Sequence, residues 1–293
     1  MTKKIFTVVG NCQAPFIADA LRSNPAFAAE YSYQHTPAVH VIPKAEINGY
    51  LETMERVDLV IHQPILNADR FGRLETGQLR RRLAGKSALV CIPSCYFDGY
   101  FPTITMIAGL TTPAGGVHDM AVFHAFDLGW TVPQTVARLY QQDPLKPMFY
   151  RRAFARSLQG MQEREEQAGV DITLSDIFDT DGRSQIVMHQ FNHPTGMLFN
   201  KIAARICAHL GLAETECVVP RELDTVVWPV WPWVRAALDL PEGGNDQLMV
   251  RGAPVAMETF VAGAFEAYAT MQPAQRTACR GRMPRVREIL AAL

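Results

Sequence analysis

No uncharged apolar run in the 293-residue sequence is long enough to span a bilayer, so an integral membrane segment is not expected. The Gly-x-Gly-x-x-Gly and Walker patterns are absent, which excludes nucleotide binding by those two loops. There is no His-Glu-x-x-His helix for a metal and no Gly-x-Ser-x-Gly elbow for a serine nucleophile. Charge of one sign is lacking too. Lys plus Arg number 28 and Asp plus Glu 29, giving a net charge of -1, whereas a binder of nucleic-acid backbone is usually basic. Cysteine is sparse, with Cys12, Cys91, Cys95, Cys207, Cys217 and Cys279 the six present, so a disulfide framework is not expected. Cys91 and Cys95 have no second ligand pair for zinc and read as small core residues, so no metal is expected. Lys3 and Lys4 precede an apolar run too short for a signal-peptide core, and the expected location is the cytoplasm.

What is present is ordinary globular material, 48% hydrophobic and 19% charged. Short β-branched runs at 5–9, 57–62 and 88–92, with a weaker one at 37–42, read as buried strands. Between them 16–22, 44–56 and 74–84 read as helices, the first opened by Pro15. That alternation predicts an α/β fold with a parallel sheet covered on both faces. Further on the pattern turns helical, near 132–142, 151–168, 196–210, 254–271 and 283–292. The expected organisation is an α/β sheet core over 1–110. A mainly helical part over 111–293 returns one late strand, 184–189, to that core.

Ligands of open parallel sheets bind outside the carboxyl ends of the strands. The turn Gly10-Asn11-Cys12-Gln13 sits there, between the first strand and a helix start. Amides at a helix start favour an anion, so Cys12 is expected to have a lowered pKa. The same N–H groups, with Asn11 and Gln13, are candidates for an oxyanion hole or for support of the thiol. The segment His189-Gln190-Phe191-Asn192-His193-Pro194 again follows a strand and precedes a helix. Imidazole takes protons near neutral pH, and His193 is the preferred base, with His189 and Asn192 behind it. His62 is the rival base. His62 and Gln63 follow one strand, and Ser94 and Tyr96 another, so all four are expected to line the same crevice.

Basic clusters occur at Arg80–Arg82 with Lys86, at Lys146 with Arg151, Arg152 and Arg156, and at Arg280 with Arg282, Arg285 and Arg287. Such groups usually form solvated faces, and any one of them can also bind phosphates. Trp228-Pro229-Val230-Trp231-Pro232-Trp233 is a rigid aromatic segment that reads as packing, with stacking on a ligand as the other use.

Val8-Val9-Gly10-Asn11-Cys12-Gln13, Asp58 to Pro64, Pro93 to Phe97 and Phe191 to Pro194 together resemble the WcbI-type family of capsular-polysaccharide biosynthesis proteins. Members of that family are regarded as acetyltransferases. The resemblance implies an SGNH-hydrolase-like sheet, binding of coenzyme A or a related 3′-phosphonucleotide, and O-acetylation of a sugar from acetyl-coenzyme A. It implies that Cys12 takes the place of the SGNH serine and His193 that of the late histidine, although Gln190 stands where the usual Asp-x-x-His pattern has its acid. Gly10, His62, Gln63, Ser94, Tyr96, Arg151 and Arg152 are then the cofactor-binding candidates. A thiol-dependent esterase or thioesterase, and a non-catalytic coenzyme A or 3′-phosphonucleotide binder, are the alternatives. The sequence does not indicate an oligomeric state.

Overall fold

The computed structural model describes residues 2–143, 145–213, 216–243 and 246–281. The helix expected over 283–292, and Arg282, Arg285 and Arg287, lie outside the described residues.

Four strands form one parallel sheet: β1 (Lys4–Val9), β2 (Tyr31–Tyr33), β3 (Leu59–His62) and β4 (Ala88–Cys91), in the order β2-β1-β3-β4. Val9 is paired with His62, and His62 with Cys91, so three adjacent strands end level. Shorter strands follow: β5 (Ile104–Met106), β6 (Val117–Asp119), β7 (Met188–Gln190), β8 (His193–Pro194), β9 (Val226–Val227), β10 (Leu248–Val250) and β11 (Ala253–Val255). The main helices are α1 (Ala14–Ser23), α2 (Ile47–Met54), α3 (Thr76–Leu83), α4 (Val132–Tyr140), α5 (Pro147–Ala168), α6 (Gly196–His209), α7 (Pro232–Leu238) and α8 (Met257–Ala269). Among the described residues no helix is long and apolar enough to cross a membrane.

The α/β class and parallel sheet agree with the sequence reading, but two strands differ from it. The edge strand is Tyr31–Tyr33 and not 37–42. Pro37 and Pro43 flank the latter stretch, where Val39–Val41 makes a 3-10 turn whose Val39 N–H donates to the Gly10 carbonyl. The late strand is only Met188–Gln190 and is not part of the four-stranded sheet. Its expected first residues are spent on a turn after Asp181–Arg183, where the Ser184 hydroxyl and Gln185 N–H both donate to the Asp181 carbonyl.

The chain divides into two compact units. The first comprises residues 1–95, 160–178 and 193–223, and the second 96–159, 179–192 and 224–293. The expected division near residue 110 was simpler than this interleaved one. In the first unit, Val9 and Val60 of the sheet pack on Tyr50, Leu51 and Met54 of α2 and on Leu79 and Leu83 of α3. α1 lies against α6, with the rings of Phe16 and Phe199 stacked at 5.3 Å. Both rings sit in first turns, so the two helices begin side by side. In the second unit, α8 packs on α4, β9 to β11 form a small antiparallel sheet, and Trp228 meets Phe260 edge-on at 5.0 Å.

Phe199 is fully buried at the α1–α6 contact. Phe199→Ala leaves a cavity there and should cost about 3–5 kcal/mol of stability. Chemical denaturation checks this, and a loss under about 1 kcal/mol would mean that the two helix starts are not held by this stack.

Candidate active site

The β1–α1 turn is fixed by side chains rather than by backbone alone. Gln63 Oε1 accepts from the Asn11 N–H at 2.9 Å, and Gln63 Nε2 donates to Gln13 Oε1 at 2.8 Å. Asn11 Oδ1 accepts from the Gln13 N–H at 2.9 Å, while Asn11 Nδ2 donates to Ser94 Oγ at 2.8 Å. Gln13 Nε2 donates to the Cys95 carbonyl at 2.7 Å, and the Cys95 N–H returns to Gln13 Oε1 at 3.1 Å. The ends of β1, β3 and β4 are thereby tied together. Gly10 is required by this packing, because a Cβ there would stand 2.4 Å from Gln63 Oε1.

Cys12 is left half-buried with a free thiol at the apex of the turn. Its pKa is raised above the ordinary thiol value, mainly by burial, against a smaller lowering by its own backbone N–H. This overturns the expectation of a lowered value. The reason lies in the local donors. The Gln13 N–H goes to Asn11 Oδ1 and the Ala14 N–H to the Asn11 carbonyl. The Phe16 and Ile17 N–H groups go to the Gln13 carbonyl, and Pro15 has none to give. Little of the helix-start field is therefore directed at sulfur, and desolvation wins. The same bookkeeping takes those N–H groups out of the expected oxyanion hole. Gln13 is fully buried with its amide committed, so it supports the turn and does not face a ligand.

His62 and Gln63 are likewise buried, not exposed to a crevice. Burial pushes the His62 pKa down to about 4, so its imidazole is neutral near pH 7 and a poor base there. Ser94 is half-buried and receives the Asn11 amide. Cys91 and Cys95 are buried, and burial pushes the Cys95 thiol up to about 12.

His193 is half-buried in β8, three residues before α6. The start of α6 carries Glu222, whose Oε2 accepts from the Gly196 N–H at 2.7 Å. Arg221 lies over the Phe16 ring at 4.5 Å and bonds Asp19 at 2.9 Å. Cys12 precedes Phe16 by four residues, and His193 precedes Phe199 by six. The stacked rings therefore set the start of α1, which follows the Cys12 turn, beside the start of α6, which follows His193. Arg221 and Glu222 were missed in the sequence, where neither stands beside a recognisable strand end.

The remaining candidates belong to the second unit. Tyr96 is 39% exposed, with its ring 5.3 Å from Phe191. His189 and Asn192 are half-buried, and the His189 carbonyl accepts from the Trp228 N–H. Arg151 was expected at cofactor phosphates. Its Nε instead donates to the Ala237 carbonyl at 2.7 Å near the end of α7, and its Nη2 lies 3.7 Å from Asp239. Free carbonyls at that helix end and a neighbouring carboxylate hold it. Arg152 is exposed on α5.

A family model described as the polysaccharide biosynthesis enzyme WcbI matches residues 5–215, which includes the whole turn and His193. The chain belongs to the WcbI family. A solved WcbI structure is similar over 99% of each chain at 23% identity, with a TM-score of 0.86. That structure is described as the native protein of a novel polysaccharide biosynthesis enzyme, without a disulfide bond between coenzyme A and one of its cysteines. No curated protein matches the chain.

Two outcomes follow for this WcbI-family turn. Gly10→Ala should lower stability by about 1–3 kcal/mol through overpacking against Gln63, and an unchanged denaturation midpoint would contradict the close approach. Because burial raises the Cys12 pKa, its alkylation by iodoacetamide should be slow at pH 7 and should rise through a midpoint above the ordinary thiol value of roughly 8.5. A midpoint below that value would mean that the helix start, and not burial, governs the thiol.

Proposed function

We propose that this WcbI-family enzyme is an acetyl-coenzyme A-dependent O-acetyltransferase that acetylates a sugar during capsular-polysaccharide biosynthesis, in the cytoplasm. The observation that carries the reading is Cys12, the one of the six free thiols that is not buried, on a turn locked by its neighbours. A histidine, His193, lies three residues before the adjoining helix α6. The description of a related WcbI structure as the protein without a disulfide bond between coenzyme A and one of its cysteines names that cofactor beside a thiol, and supports a coenzyme A whose sulfur end approaches Cys12 here.

The donor set fits that cofactor. A half-buried thiol suits its sulfur end. Arg221, whose side chain is 55% exposed over the first turn of α1, is a guanidinium suited to phosphate. Coenzyme A, when bound, supplies the acetyl group as a thioester. His193 accepts the proton of the attacking sugar hydroxyl, and the oxygen–acyl bond forms as the sulfur–acyl bond breaks. The proton then goes to the departing sulfur. Cys12 is protonated at neutral pH, so a route through an acyl-cysteine needs His193 to take the thiol proton first. Direct transfer, with Cys12 positioning the donor, needs no such step.

One observation favours a second reading. A thiol raised in pKa is also what a non-catalytic coenzyme A binder would carry. Cys12→Ala and His193→Ala separate the two. Each should reduce transfer from acetyl-coenzyme A to a capsular oligosaccharide by about a hundredfold or more, with coenzyme A affinity nearly unchanged. Full transfer in either variant removes that residue from the reaction. Acetyl-coenzyme A consumption at the same rate without any acceptor would make the enzyme a thioesterase.

A further inference from the structure

The second unit holds a cleft of about 480 Å³, within the range of small-ligand sites, which run from roughly 300 to 1,000 Å³. Trp231 forms one wall. Its indole is stacked on Trp233 with ring centres 5.4 Å apart and planes 13° from parallel, and Tyr140 lies at 5.3 Å. Stacked on Trp233 and flanked by the tilted Tyr140 ring, the half-exposed Trp231 ring has little freedom and is a rigid platform. The polar lining is acidic and amidic: Asp246, Glu258, Gln141 and Gln247. Asp246 is held by Arg235, at 3.0 Å, and Arg235 is only 5% exposed and also donates to the Val230 carbonyl. Glu258 stands in the first turn of α8, whose N-cap, Ala256, has no capping side chain.

This combination selects a ligand class. An aromatic plane takes the apolar face of a pyranose ring, while carboxylates and amides take its hydroxyls. Among the described residues that line the cleft none is an arginine or lysine, Arg235 behind it is paired with Asp246, and the Glu258 carboxylate repels phosphate or uronate, so a nucleotide is disfavoured.

We propose that this cleft binds a neutral or amino-bearing oligosaccharide, stacked on Trp231 and hydrogen-bonded through Asp246 and Glu258. The inference rests on the polysaccharide chemistry of the WcbI family and not on acetyl transfer. It adds a glycan-holding site that uses none of the residues of the β1–α1 turn.

The test is binding to the full chain without acetyl-coenzyme A. A panel of capsular oligosaccharides covering neutral, amino-sugar and uronate types is titrated against tryptophan fluorescence. Neutral or amino-sugar members should saturate the signal in the micromolar to millimolar range, and uronate members should bind at least about tenfold more weakly. Trp231→Ala should abolish binding and Trp231→Phe retain most of it. The exposed Glu258→Lys should weaken amino-sugar binding by about tenfold or more. Cys12→Ser should bind saccharide as the parent does. If no member binds at millimolar concentration, or uronates bind as well as neutral chains, the proposal fails. It also fails if Trp231→Ala instead dissociates a dimer seen in sedimentation, since the cleft then holds a second copy. Absence of acetyl transfer by the parent protein, with saccharide binding intact, would count against the acetyltransferase reading alone.

Discussion

The paired amides of Gln13 and Gln63 are the constraint on which the first unit's chemistry depends. Each glutamine reaches outward from this contact, one to the Asn11 N–H and the other to both backbone groups of Cys95. Buried hydrogen bonds of this kind add only about 0.5–1.5 kcal/mol each, but a missing partner costs about 1–3 kcal/mol. The network is therefore stable chiefly because it is complete. It converts three flexible strand ends into one rigid platform, and the thiol is what the platform presents.

That rigidity has a chemical cost and a chemical use. The helix start cannot lend its N–H groups to sulfur, because backbone and Asn11 acceptors already hold them. Cys12 stays protonated until something removes its proton. Selectivity then resides in the arrival of a partner group, and a solvent-borne electrophile meets the less reactive form of the thiol. In the second unit the same economy recurs in aromatic form. Trp233 and Tyr140 fix Trp231 as the paired amides fix the turn.

The sequence displayed the sheet well. Runs such as Leu59-Val60-Ile61-His62 are buried on both sides and contain nothing that competes with a strand. Cys12 was legible for the same reason, since strand ends in such sheets face ligands. The direction of its pKa was not, because that depends on which acceptors take each N–H, and those acceptors are set by the fold. The placement of 31–33 was hidden by its length, three residues whose pairing is fixed only by β1. Gln63 looked like a ligand-binding residue because polarity at a strand end reads the same whether it faces solvent or a neighbouring turn. Arg151 misled in a similar way, since the carbonyl that takes it belongs to a helix end 86 residues further along the chain. Arg221 and Glu222 were hidden because their meaning comes from helices encoded elsewhere.

Gly10 and Gln63 contend for the same small volume, one by lacking a methyl group and the other by filling the vacancy. A lineage that acquired a side chain at the first position would have to shorten the second beforehand, and would then strand the Asn11 amide. Neither site can drift by itself. The two are inherited as a single unit, so the ancestry of the thiol-bearing loop is written partly on a strand that never touches sulfur.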